Sequence, residues 1–120
     1  MSIKNLFNHS NDLIDFQSGM TIFSEGSEGD CMYVLMEGEV EIRVDNKLVD
    51  VLTSGSIFGE MALIDSSPRS ASAVAASDCK LAVVDNRKFL FMIQQTPFFA
   101  TEVMRIMADR LRLMNSMQVK

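Results

Sequence analysis

Histidine, cysteine and positive charge are all scarce in this 120-residue chain. One histidine, His9, and two distant cysteines, Cys31 and Cys79, offer no set of zinc ligands. Two cysteines also cannot staple a disulfide scaffold, so reduced thiols in a cytoplasm are expected. A β-barrel enzyme with a metal held by several histidines is excluded on the same ground. No nucleophile-base pair stands out either, so no catalytic residue is assigned. His9 reads as an exposed residue of an N-terminal turn. Eleven Lys and Arg against sixteen Asp and Glu leave a formal net charge of −5. A nucleic acid backbone asks for a basic face, so this chain is not expected to grip one. No apolar run approaches the roughly 20 residues that cross a bilayer. The start, Met1-Ser2-Ile3-Lys4-Asn5, lacks the charged and apolar regions of a signal peptide. No membrane partner is expected.

What is present points to one folded domain over residues 1–120. Nearly half of the residues, 48%, are apolar, too many for disorder, and the length suffices to bury a core. Residues Ser2 to Asn8 suggest a short helix anchored by Leu6 and Phe7. Leu13 to Phe16 and Thr21 to Phe23 read as two strands joined by a Gly19 turn. Ser24 to Asp30 is rich in glycine and acid, but lacks the ligand spacing of a calcium loop and reads as a solvated turn; no metal is assigned. Cys31 to Met36 is apolar and β-rich. Glu39 to Val44 alternates polar and apolar residues strictly, which marks a strand with one buried face. After a tight connection at Asp45-Asn46-Lys47, Leu48 to Leu52 continues the β pattern. Ser72 to Ala76 and Lys80 to Val84 add two more strands.

The period changes after residue 85. Asp85 is placed to cap a helix over residues 86–95 that carries Phe89, Met92 and Ile93 on one face. Pro97 suits the first turn of a second helix over 97–117. There Met104, Met107, Leu111 and Met114 follow three- and four-residue steps, and Phe99, Val103, Ile106 and Leu113 widen the apolar surface. That surface exceeds what one neighbour covers, so the helix packs on the strands and also pairs with a second copy of itself in a homodimer. Short strands first and helices last predict a β-sandwich or barrel over about residues 12–85 followed by two helices.

The chemistry is concentrated in Phe58-Gly59-Glu60-Met61-Ala62-Leu63-Ile64 and the following Asp65-Ser66-Ser67-Pro68-Arg69-Ser70-Ala71-Ser72. Gly55 and Gly59 bracket Ile57-Phe58 and let the backbone turn or approach a ligand closely. Glu60 opens a short run of helix formers whose free amides suit an anion. Arg69 stands among small residues, with room for a bulky anion. An acid that accepts hydroxyl protons, beside an arginine that forks onto phosphate oxygens, describes a pocket for a phosphorylated sugar.

This two-part motif resembles the phosphate-binding cassette of the cyclic nucleotide-binding domain. That family includes the sensors of cAMP receptor protein-like regulators, kinase regulatory subunits and nucleotide-gated channels. The similarity runs from about Leu13 to the end of the chain. It implies a mainly β fold: a double-stranded β-helix, or β-roll, followed by two α-helices, the last often the dimer interface. It implies cAMP or cGMP as ligand and no cofactor. Glu60 would hold the ribose hydroxyl and Arg69 the cyclic phosphate, with Gly59 and the backbone at Met61, Ala62 and Ala71 close by. Ser70 permits either nucleotide, because its hydroxyl can meet the phosphate or a guanine amino group. Phe23, Ile42 and Val49 would wall the base and sugar. The base-contacting pair at the end of the long helix falls on Met114 and Asn115, of which only Asn115 keeps polarity.

The function these residues imply is a regulatory module rather than an enzyme, one that converts cyclic nucleotide binding into movement of the C-terminal helices. The chain stops at Lys120, without room for a helix-turn-helix domain, and a natural-looking start at Met1 suggests a complete short protein. A freestanding module then signals through an unidentified protein partner or through its own dimer. The competing readings are a degenerate β-roll scaffold without a nucleotide ligand, and a sensor fragment of a larger transcription regulator.

Overall fold

Two four-stranded antiparallel sheets face each other, and the chain crosses between them repeatedly. The computed structural model describes residues 3–8 and 13–118, without the side chains at 114 and 116–118. His9 therefore lies outside the described residues. The strands are β1 (Leu13–Phe16), β2 (Thr21–Phe23), β3 (Cys31–Glu37), β4 (Val40–Val44), β5 (Lys47–Leu52), β6 (Ile57–Phe58), β7 (Ser72–Ala75) and β8 (Cys79–Asp85). One sheet has the order β1-β8-β3-β6 and the other β2-β7-β4-β5. This is the β-roll expected from the sequence.

Helices α1 (Met61–Ile64), α2 (Asn86–Gln95) and α3 (Pro97–Gln118) interrupt or follow the strands. Asp85 caps α2, its carboxylate accepting the Lys88 amide at 2.8 Å. The N-terminal helix expected over residues 2–8 is a single 3-10 turn, Lys4–Phe7, with Ile3 and Phe7 buried. Ile57-Phe58, between its two glycines, forms the short strand β6, paired with Tyr33 and Val34 of β3.

Two cores explain why the strands differ in pattern. Leu35, Val40, Leu52, Phe58, Ala73, Ala75 and Leu81 fill the space between the sheets. On the other face of the first sheet, Met32, Val34, Met36, Ile57, Ala82 and Val84 meet Phe89, Phe99 and Val103 of the helices. A sheet covered on both faces demands apolar residues at consecutive positions, which is why β3 reads Cys-Met-Tyr-Val-Leu-Met without alternation. Strand β4 belongs to the sheet covered on one side, and there the alternation is clean. Full burial of Phe7, Phe58 and Phe99 contributes about 1.5–3 kcal/mol each.

Helix α3 is divided between two environments. Phe99, Val103, Ile106 and Met107 pack into the second core, whereas Met104, Leu111 and Leu113 are 53–61% exposed. Among the described residues no helix is long and apolar enough to cross a membrane.

Candidate functional site

Arg69 is the best-held side chain at the mouth of the roll. It is 7% exposed, and its Nη1 and Nη2 donate to the carbonyls of Gly59 and Cys31, each at 2.8 Å. Its Cζ lies 4.2 Å from the centre of the Phe23 ring, a cation–π distance. The backbone is fixed as well: the Gly26 amide donates to the Arg69 carbonyl, and the Arg69 amide to the carbonyl of Ser27. Two glycines make room for this. A Cβ on Gly29 would stand 2.4 Å from Arg69 Cζ, and one on Gly59 would stand 2.6 Å from Nη1. Gly59 also has φ +80°, a region that favours glycine. With both nitrogens of its fork on carbonyls, Arg69 is no surface ion-pairing residue. Its Nε is buried without a hydrogen-bond partner.

Glu60 follows Gly59 directly and is turned to the inside by the start of α1. It is 2% exposed and accepts a hydrogen bond through Oε1 from Arg110 Nη1 on α3. Arg110 Nη2 also donates to the Ile57 carbonyl at 2.7 Å. The other carboxylate oxygen, Oε2, is buried with no partner. Glu60 occupies the N-cap position of α1 but makes no side-chain cap bond, so capping does not account for its burial.

The aromatic floor is built from three strands. Tyr33 stacks on Phe58 at 5.4 Å and on Phe23 at 6.1 Å. Burial pushes the Tyr33 hydroxyl above its ordinary pKa, the Cys31 side chain adding to the effect and the Arg69 charge opposing it.

The remaining expected site residues distribute as follows. Ala62 is buried, Ala71 half-buried, and Met61 and Ser70 exposed. Ile42, like Phe23, packs against the inner core, the two flanking Ala73 of β7. Val49 is 44% exposed at a bulge between the pairs Ile42–Asp50 and Arg43–Leu48. Asn115 is exposed in the last turns of α3, and the Met114 side chain lies outside the described residues. The structure thus gathers Phe23, Gly59, Glu60 and Arg69 in one place, and leaves Val49 and Asn115 at the surface. It adds Gly29, Cys31 and Arg110, which sequence reasoning passed over. Of the three arginines of α3, Arg110 stands four and three residues after Ile106 and Met107, on the helix face that packs inward. Among the described residues no cluster of His, Cys, Asp and Glu is arranged to hold a metal. An open groove of about 690 Å³ lies away from this site, between β1, β8 and α2.

The mouth of the β-roll thus holds a buried acid and a buried arginine, the acid paired with α3. The sequence profile of the cyclic nucleotide-binding domain matches residues 13–96, and the chain belongs to that family. Over 108 residues it is 30% identical to a CRP-like cAMP-activated global transcriptional regulator of Mycobacterium tuberculosis, covering 86% of this chain and 48% of the regulator. The chain thus spans about half the length of that relative. Among solved structures, the Thermus thermophilus catabolite activator protein superposes with a TM-score of 0.79 at 31% identity, over 86% of this chain and 51% of the other. The cGMP-bound form of the EAL enzyme Bd1971 superposes with a TM-score of 0.67 at 38% identity, over 83% of this chain and 28% of the enzyme, and a cAMP-bound form of the same enzyme also matches.

Proposed function

We propose that this chain is a sensor for a cyclic purine nucleotide, cAMP or cGMP, held by Glu60 and Arg69. One observation carries the reading. Among the described residues, the two buried side-chain atoms without a hydrogen-bond partner are Glu60 Oε2 and Arg69 Nε. A buried polar atom left unpaired costs about 1–3 kcal/mol, and here both belong to the acid and the arginine of one motif. A ribose hydroxyl donating to Glu60 and a cyclic phosphate accepting from Arg69 satisfy the two at once. A ligand-free scaffold has no use for such a pair.

Backbone amides of Met61, Ala62 and Ala71 surround the sugar and phosphate, Gly59 allows the close approach, and Phe23, Ile42 and Val49 face the base. Ser70 offers a hydroxyl compatible with either nucleotide, in keeping with a neighbour solved with each. Arg69 is already seated inside the roll, so the cassette needs little inward movement. The conformational response then falls on α3. A ribose hydroxyl on Glu60 Oε2 shares the carboxylate that Arg110 holds through Oε1, and the nucleotide shifts the helix by the difference in its affinity for the two arrangements.

The outer face of α3 supports a homodimer. Thr101, Met104, Ala108, Leu111 and Asn115 follow three- and four-residue steps, and Met104 and Leu111 are 61% and 59% exposed. Two buried, unpaired thiols, Cys31 and Cys79, fit a reducing cytoplasm.

The test is a thermal-shift titration with cAMP and with cGMP, on the wild type and on Arg69→Ala. Nucleotide at about a hundredfold over its Kd stabilises by about 2.7 kcal/mol, which raises Tm by several degrees. A rise that disappears in the variant supports the reading, and the stronger ligand fixes the base. No rise with either nucleotide, in protein stripped of bound nucleotide, rejects it.

A further inference from the structure

The turn between β2 and β3 is wired on one side to Arg69 and on the other to the tip of the β4–β5 hairpin. Gly26 and Ser27 hold the backbone of Arg69, the first donating to its carbonyl at 2.7 Å and the second accepting from its amide at 2.8 Å. The neighbouring residue, Glu25, makes two contacts outside its own turn. Its amide donates to Ser72 Oγ at 2.8 Å, and its Oε1 accepts the amide of Asp45 at 3.0 Å. A ring closes through Ser72, which faces Arg43 across the β7–β4 ladder, and through Arg43, whose Nη1 donates to the Asn46 carbonyl at 3.4 Å.

The hairpin tip needs such a hold. Val44 pairs with Lys47, leaving Asp45 and Asn46 as a two-residue loop with φ of 51° and 64°. Both are left-handed, and neither is glycine, the residue most at ease there. The tip is exposed, and no core contact restrains it. Yet β4 and β5 carry Ile42 and Val49, the residues assigned to the base and sugar wall.

We propose that Glu25 is a positioning residue: it fixes the β4–β5 hairpin at a set distance from Arg69, so that wall and phosphate anchor are held in register for one ligand. The proposal rests on the nucleotide reading above. Without the carboxylate, the hairpin populates arrangements in which the wall stands away from the arginine. The apparent affinity then falls with the fraction that remains competent. Glutamine keeps a carbonyl acceptor at the same reach, whereas alanine removes it.

The experiment compares the wild type, Glu25→Ala and Glu25→Gln in two measurements. In direct titration with cAMP and cGMP, Glu25→Ala weakens binding about fivefold, the effect of one exposed charge-assisted hydrogen bond, and Glu25→Gln stays within about twofold of the wild type. In amide hydrogen exchange without added nucleotide, residues 43–47 exchange about fivefold faster in Glu25→Ala and recover in Glu25→Gln, while β3 and β8 are unchanged. Unchanged exchange at the tip in Glu25→Ala overturns the tether. Faster exchange with unaltered affinity overturns its role in binding. If the folded wild type binds neither nucleotide, the functional reading fails and takes the binding role with it, while the exchange measurement still decides the tether.

Discussion

Truncation of Arg110 to alanine should destabilise the protein out of proportion to the side chain's exposure. The cause is what it leaves behind. The Glu60 carboxylate is 2% exposed, its Oε2 already lacks a partner, and Oε1 is satisfied by Arg110 alone. Removing one member of a fully buried pair costs about 3–5 kcal/mol, because the other charge stays buried and uncompensated. The Arg110 side chain is 35% exposed, so water can reach the vacated position and screen part of the charge. The expected loss is therefore about 2–3 kcal/mol, or about 8–12 °C in Tm for a domain of this size. Urea denaturation of the wild type, Arg110→Ala, Glu60→Gln and the double variant closes a thermodynamic cycle. Glutamine removes the buried charge, so Arg110→Ala should cost far less in that background. A coupling energy of at least about 1.5 kcal/mol is expected. A coupling below about 0.5 kcal/mol would refute the reasoning: α3 would then not be tied to the site by this pair, and its proposed link to the ribose through Glu60 would lose its basis.

Gly29→Ala should destabilise by about 1–3 kcal/mol although its φ is not left-handed, because the added methyl meets the Arg69 guanidinium, not open space; denaturation together with nucleotide titration checks that both stability and binding suffer. If the proposed α3 dimer forms, Leu111→Glu should halve the mass in sedimentation equilibrium while leaving Tm of the monomer nearly unchanged, since Leu111 is 59% exposed. Hydrogen bonds from the Ser67 side chain and amide hold the Asp65 carboxyl below its ordinary value of 3.8. A carboxylate depressed in the folded state adds stability that is present above the unfolded pKa and lost as pH falls through the folded one. An NMR titration of the Asp65 carboxyl should place its midpoint below 3.8, and Ser67→Ala should move it upward.

How far the sequence reaches depends on how local each feature is. The Glu60 and Arg69 motif was legible because its parts lie within a dozen residues of one another, and a short helix followed by a turn needs little tertiary context. The strands of the outer sheet were legible because one-sided burial imposes a period of two on β4. Even β3 was found, since double burial still selects β-branched and apolar residues. The two glycines around Ile57-Phe58 hid a strand, because two paired residues are too few to show a period. In α3 the apolar residues were seen, but their division was not. Helical spacing gives faces, and only packing shows that Val103 and Met107 go inward while Met104 and Leu111 stay out.

The sequence by itself determined a mainly β chain with two C-terminal helices, and it placed an acid, Glu60, and an arginine, Arg69, in one short stretch. The tertiary structure alone decided the company those two residues keep. Arg69 rests on a carbonyl 38 residues before it, and Glu60 pairs with an arginine 50 residues after it. Such partners are brought together by chain topology, and neither periodicity nor spacing in the sequence encodes a distance across the fold.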